Sequence, residues 1–263
     1  MAFSRGALGP AKTIQTPMEI AWQTTPSNHS AGSPPNIQEA VFFEQRRSDG
    51  RILFVLATVI ANDAEQSRWL RFMEFALAKN PNLQGLAPAD LLRRLHGYLA
   101  TIFRRNPGHW GAVHATVLLV DPVNRFWRAY RAGEPLPMFA RELGGWSSLP
   151  TLAGPRLGVP GSGAMVGATA DEIFPVNPEQ GDVQMVSGDA MTLVSRGLYD
   201  APAHNRPPRR FGSSPDGLLS SLNILSATSS ASSIAAAASS ALVSFRGPAG
   251  LDNDGTILVL KLD

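Results

Sequence analysis

The chain has 263 residues, 44% hydrophobic and 17% charged, which is enough apolar material for one sizeable core in one large domain. With 23 basic against 21 acidic residues the net charge is +2, so no overall field marks a nucleic-acid or polyanion binder. The sequence contains no cysteine, which excludes disulfides, thiolate catalysis and Cys-ligated zinc or iron–sulfur sites.

Residues 1–16 are small and polar and read as a flexible lead-in to a single domain over 17–263. Neither a secretory apolar run nor a membrane-length one occurs, so a cytoplasmic protein without a membrane partner is expected. A strand is predicted from Met18, with Ile20 and Trp22 alternating against polar neighbours, followed by a Pro- and Ser-rich loop to Pro35. Ala40–Gln45 and Ile52–Ala61 read as two strands joined at Arg47-Ser48-Asp49-Gly50, where Asp-Gly signals a hairpin turn.

Two helices follow. From about Ala64 to Lys79, residues Trp69, Phe72, Met73, Ala76 and Leu77 recur at spacings that build one apolar stripe, with Asn62 or Asp63 available as a cap. The second starts at Ala87-Pro88, runs through Leu91, Leu92, Leu95, Tyr98, Leu99, Ile102 and Phe103, and stops at Asn106-Pro107-Gly108. Their apolar stripes are core faces, since the polar faces mix both signs of charge and do not resemble a membrane-binding surface.

Strands are then predicted at Ala112–Val120, Asn124–Arg131, Leu136–Arg141, Val183–Val186 and Ala190–Val194, and short Pro- and Gly-containing turns favour antiparallel neighbours. Residues 201–215 read as a loop. Asp216–Phe245 is Ser- and Ala-rich with spaced leucines; it reads as two helices around Thr228-Ser229-Ser230, with low complexity as the competing reading. Thr256–Leu262 is a final strand. Helices segregated from antiparallel strands imply an α+β layered domain in which helix pairs cover two sheets packed face to face.

Most familiar catalytic patterns are absent: there is no Gly-x-Ser-x-Gly elbow, P-loop or His-Glu-x-x-His sequence. His109 and His114 would fall on opposite faces of a strand, and His29, His96 and His204 lack a partner pattern, so all are read as structural. Gly161-Ser162-Gly163 precedes no helix pattern and does not read as a dinucleotide site. Arg206, Arg209 and Arg210 form a small basic loop that would neutralise few phosphates, so no nucleic-acid partner is expected.

Five segments in consistent order resemble metal-dependent Ser/Thr protein phosphatases, in particular their SpoIIE-like branch. Leu53–Asp63 is similar to that branch's strand, Asp-rich turn and helix. Arg131-Ala-Gly-Glu-Pro-Leu-Pro137 resembles its Asn-Ala-Gly-His-Pro-Pro turn, and Gly188–Asp200 its Gly-Asp-x-Leu-x-Leu-Tyr-Thr-Asp-Gly-x-x-Glu motif. Phe211-Gly212 and Asn253-Asp254-Gly255-Thr256 resemble its Phe-Gly and Asp-Asp-x-Thr elements.

The resemblance implies a four-layer αββα sandwich with two Mn²⁺ or Mg²⁺ ions at one end, held by aspartates and activating a water against a phosphoserine or phosphothreonine. This sequence departs from the family at those ligands. The expected carboxylates fall on Gln38, Thr58, Arg196 and Asn253, so no metal, no cofactor and no catalytic residue is expected. A guanidinium ~4 Å from a divalent ion, at an effective dielectric of about 20, would oppose binding by about 8 kcal/mol.

Arg196 can be read as a fork that holds a phosphate without cleaving it, or as the partner of a salt bridge to Asp254 or Asp252. Asp63, Asp252 and Asp254 read as cap and turn residues; a shifted metal site made from them is the alternative. The chain is therefore expected to be a pseudophosphatase that binds another protein, phosphorylated in one version of the reading, as a regulatory or assembly subunit. The alternative is an active phosphatase with rearranged ligands.

Overall fold

In a computed structural model the described residues are 12–14, 18–26, 39–61, 72–73, 75–80, 83, 85–105, 111–132, 138–142, 145–148, 183–204, 209–226, 228–247 and 254–262. Where apolar residues alternate in the sequence, they form strands that pair into two antiparallel sheets. The first has the order β1–β2–β11–β10–β7–β8, from Lys12–Ile14, Met18–Thr25, Gly255–Leu262, Ala190–Val194, Met138–Glu142 and Gly145–Ser148. The second has the order β3–β4–β5–β6–β9, from Glu39–Arg46, Ile52–Ala61, Gly111–Asp121, Phe126–Ala132 and Val183–Gln184.

The two-residue period of each strand sorts its side chains between layers. In β4, Ile52, Phe54 and Leu56 face the opposite sheet and meet Met18, Ile20, Leu193, Leu258 and Leu260, while Leu53, Val55 and Ala57 face outward. Trp22, Phe42 and Phe54 join the sheets at the centre, with ring centroids 5.4–6.1 Å apart.

Outside the second sheet lies helix α1, Pro88–Arg105, which begins with proline where no amide partner is needed and buries Leu91, Leu92, Leu95 and Leu99 against β5 and β6. Residues 72, 73 and 75–79 are also helical and bury Met73, Ala76 and Leu77 in the same layer; residues 64–71 of that expected helix lie outside the described residues.

Three further helices belong to the first sheet's side: α2 (Arg196–Tyr199), α3 (Leu218–Asn223) and α4 (Ala231–Arg246). Helix α4 packs on β2 and β11 through Ala231, Ile234, Ala235, Ala238 and Leu242, and the three small alanines let its backbone approach the sheet. The Ser230 hydroxyl caps α4 by accepting from the Ser233 amide, and the Glu19 carboxylate accepts from the Ala231 amide at 2.7 Å. The architecture is thus the four-layer αββα sandwich, α+β in class, that the sequence implied.

Two details depart from the expectations, and a third agrees with the first of two readings. Lys12–Ile14, placed in the flexible lead-in, pair with Trp22–Ile20 as an edge strand. Strand β8 was not anticipated; it pairs with β7 and is held by the Asn223 side chain, which accepts from the Trp146 amide at 2.8 Å. The Ser/Ala-rich stretch forms the two helices expected around residues 228–230, with Ser230 as a cap while Ala and Leu supply the buried stripe.

Candidate functional site

Of the residues singled out by motif, Ser195 and Arg196 form the start of the segment that follows β10. Ser195 follows the last residue of β10 and is fully buried. Its hydroxyl accepts from the amides of Thr256 (2.9 Å) and Leu198 (3.4 Å), and donates to the Asp254 carbonyl (3.2 Å). One side chain therefore caps α2 and ties it to the start of β11. Glycine is required nearby on steric grounds: a Cβ at Gly212 would lie 1.9 Å from the Tyr199 ring, and one at Gly217 would lie 1.9 Å from the Phe211 carbonyl.

Arg196 opens α2 directly after this cap, and the helical turn brings it beside Asp200, with Nη1 3.3 Å from Oδ2. Arg210 Nη1 lies 2.9 Å from the other oxygen, Oδ1. Asp200 is thus one carboxylate partner of Arg196, and Asp252 lies outside the described residues. The next basic residue, Arg209, pairs with Asp216. Two of the three arginines of the basic loop are therefore engaged by carboxylates, and Arg206 lies outside the described residues.

Thr58 sits on the opposite sheet. It shares the inward face of Phe54 and Leu56, is 1% exposed, and its hydroxyl has no hydrogen-bond partner among the described residues. His114 is its register partner on β5 and is also buried. Helix α2, which carries Arg196, packs on β11 of the first sheet and also touches β3, the strand paired with the β4 strand of Thr58. Gln38, Asn253, Asp63, Asp252, His109 and the Gly161–Gly163 segment lie outside the described residues. Asp189 is a turn residue that accepts from the Val186 amide at 2.8 Å.

Chemically, the described groups at this end are the Thr58 hydroxyl, the Arg196 and Arg210 guanidiniums, and the carboxylates of Asp254 and of Asp200, the latter held by both arginines. Divalent ions of the hard class need anionic oxygens, and the guanidiniums compete for the Asp200 pair. Among the described residues no three His, Asp or Glu side chains are placed to hold a metal ion. Among the same residues no helix is long and apolar enough to cross a membrane.

The stacking of two antiparallel sheets between helix layers defines a phosphatase-type sandwich, and comparison with solved structures agrees. The RsbU and RsbW domains of Rv1364c from Mycobacterium tuberculosis match with a TM-score of 0.64 at 20% identity over 99% of this chain, which spans 64% of that one. The SiaA-PP2C domain of Pseudomonas aeruginosa gives 0.61 at 16% identity, covering 94% of this chain and 86% of that one. A serine/threonine phosphatase, PstP, in complex with two manganese ions gives 0.58 at 14% identity, with 93% and 97% covered. No curated protein sequence matches the chain. The family Stage II sporulation protein E (SpoIIE) matches residues 49–263, and the chain belongs to it.

Proposed function

We propose that this SpoIIE-family domain is a catalytically inactive phosphatase-fold protein that serves as a protein-binding, regulatory or assembly subunit and takes a phosphorylated partner at Arg196 without cleaving it. The observation that carries the reading is the guanidinium immediately after β10, where the family resemblance implies a metal-ligating aspartate. A permanent cation there repels divalent ions and attracts phosphate oxygens, to which its planar fork is matched. Thr58 adds a neutral hydroxyl on the facing sheet, and the resemblance places Gln38 and Asn253 at the other ligand positions. A scaffold can outlive its chemistry because fold and site are separable. The pairing of RsbU and RsbW domains in the Mycobacterium tuberculosis chain supports a role exercised against a second protein domain.

Two measurements test this. Purified protein incubated with Mn²⁺ and an aryl phosphate or phosphopeptide should show no turnover above a protein-free control. Turnover that disappears with a chelator would instead establish an active enzyme with rearranged ligands, among which Asp63, Asp252 and Asp254 would be the first to test. Binding of a phosphopeptide should be lost in Arg196→Ala; binding that survives unchanged removes Arg196 from the site.

A further inference from the structure

We propose that Arg196 and Arg210 together clamp a phosphomonoester dianion, which takes the place that the Asp200 carboxylate now holds between them. This rests on the reading of Arg196 as a phosphate-binding residue and adds the second half of the site and its selectivity. The two guanidiniums meet the two oxygens of one carboxylate, at 3.3 and 2.9 Å. Donors already set for the bite of one oxyanion are set for another, since carboxylate and phosphate are both recognised by the same guanidinium fork.

The backbone fixes all three groups. Arg196 follows the Ser195 cap, and the Asp200 amide donates to the Arg196 carbonyl at 2.8 Å. Pro202 and Arg210 form an antiparallel bridge, flanked by Phe211 N–H to Ala201 O and Ala203 N–H to Arg209 O, each 2.9 Å. The Arg210 carbonyl also accepts from the Ser213 and Ser214 amides. Arg210 is thereby carried to Asp200 by paired chain segments, while its neighbour Arg209 is turned to Asp216.

Exposure rises from the interior outward, from 17% for the Arg196 side chain through 27% for Asp200 to 56% for Arg210. An anion can therefore enter from the Arg210 side. Asp200 makes the site selective. It is a tethered competitor with a single charge, so a free carboxylate gains nothing by displacing it, whereas a phosphomonoester brings close to two charges at neutral pH.

The test is calorimetric titration of the full chain with phenyl phosphate, with benzoate as the carboxylate control. Arg210→Gln should weaken phenyl phosphate binding at least tenfold, Asp200→Asn should tighten it several-fold, Arg209→Gln should leave it unchanged, and benzoate should not bind. Equal effects of Arg210→Gln and Arg209→Gln, or an Asp200→Asn variant that binds no better than the parent chain, would overturn the clamp. Loss in Arg196→Ala with Arg210→Gln unaffected would discard the clamp and keep the Arg196 reading. Binding unaffected by Arg196→Ala, or absent from both the parent chain and Asp200→Asn, would discard both. Should a variant fail to fold, the Arg210 Nε–Hε resonance of the unmodified chain decides: it should shift on adding phenyl phosphate, and an unmoved resonance refutes the clamp.

Discussion

Replacing Ser195 by alanine removes one hydroxyl with three partners, and the structure allows its cost to be worked out. The α2 turn loses its cap, worth about 1 kcal/mol. The Thr256 amide, at the buried start of β11, loses the oxygen it donates to at 2.9 Å, and an orphaned buried amide costs about 1–3 kcal/mol. Together these give about 3 kcal/mol, or ~6–12 °C in melting temperature for a domain of this size. The comparison is Thr192→Val, three residues earlier in the chain, within β10. Thr192 is also fully buried, but its hydroxyl has no hydrogen-bond partner among the described residues, so replacing it with an isosteric apolar group should be neutral or stabilising. Urea unfolding and thermal melts of both variants provide the assay. A loss below about 1 kcal/mol for Ser195→Ala, or equal losses for the two, would show that the hydroxyl is not the tie between β10, α2 and β11.

Three other perturbations follow from named contacts. Gly212→Ala drives a Cβ into the Tyr199 ring and should cost about 2–3 kcal/mol, with a double-mutant cycle against Tyr199→Leu showing coupling of about 1 kcal/mol or more; additive effects would refute the clash. Burial works to raise the Asp121 carboxyl pKa, but hydrogen bonds from the Asn124 amide and side chain and the Val123 amide, with the Arg51 guanidinium, outweigh it and hold the group below its usual value. Because the folded value is depressed, this stabilisation is complete above about pH 4 and lost as pH falls through the folded pKa. Asp121→Asn should therefore be less stable at pH 7 and fall less steeply below pH 4, and parallel curves would contradict the assignment. Finally, Thr58→Asp alone should destabilise by about 3 kcal/mol, as a buried unpaired charge does. The combined Thr58→Asp, Arg196→Asp and Asn253→Asp variant should be stabilised by Mn²⁺, by about 2.7 kcal/mol at a hundred times its dissociation constant, where the parent chain shows no shift.

The strands of the two inner layers were legible because a two-residue period leaves little freedom once both faces must be sorted, and β4 and β10 appear at their expected bounds. Helix α1 was legible from proline at its start and leucines at helical spacing. Strand β8 was not, because Gly-Trp-Ser-Ser carries no period and depends on Asn223, far along the chain, to hold it. At the site, Thr58 and Arg196 could be singled out by their motif positions. Their surroundings could not. The pairing of Arg196 with Asp200 depends on residues 196–199 being helical, which places Asp200 four positions on along the same face, and no helix is predicted between Val194 and the loop at residue 201. Arg210 reaches the same carboxylate only because the 201–203 and 209–211 segments pair, a tertiary contact with no local pattern behind it.

The positions that keep to the family pattern and those that leave it answer to different physical demands. Ser195, Leu198, Phe211, Gly212 and Gly255 are each required by packing or by a backbone amide: Leu198 and Phe211 are buried in the layer under α4, and a Cβ at Gly255 would press on Leu242 at 2.8 Å. None of these requirements involves an ion, so they persist whatever happens to the chemistry. A carboxylate at Thr58 is different, because packing asks only for a small side chain there, and an aspartate buried beside Leu56 is tolerable only while a cation lies next to it. Once one ligand of a shared metal site is replaced, the remaining carboxylates become buried like charges that repel one another, and neutral replacements gain stability. Loss at one position therefore favours loss at the next.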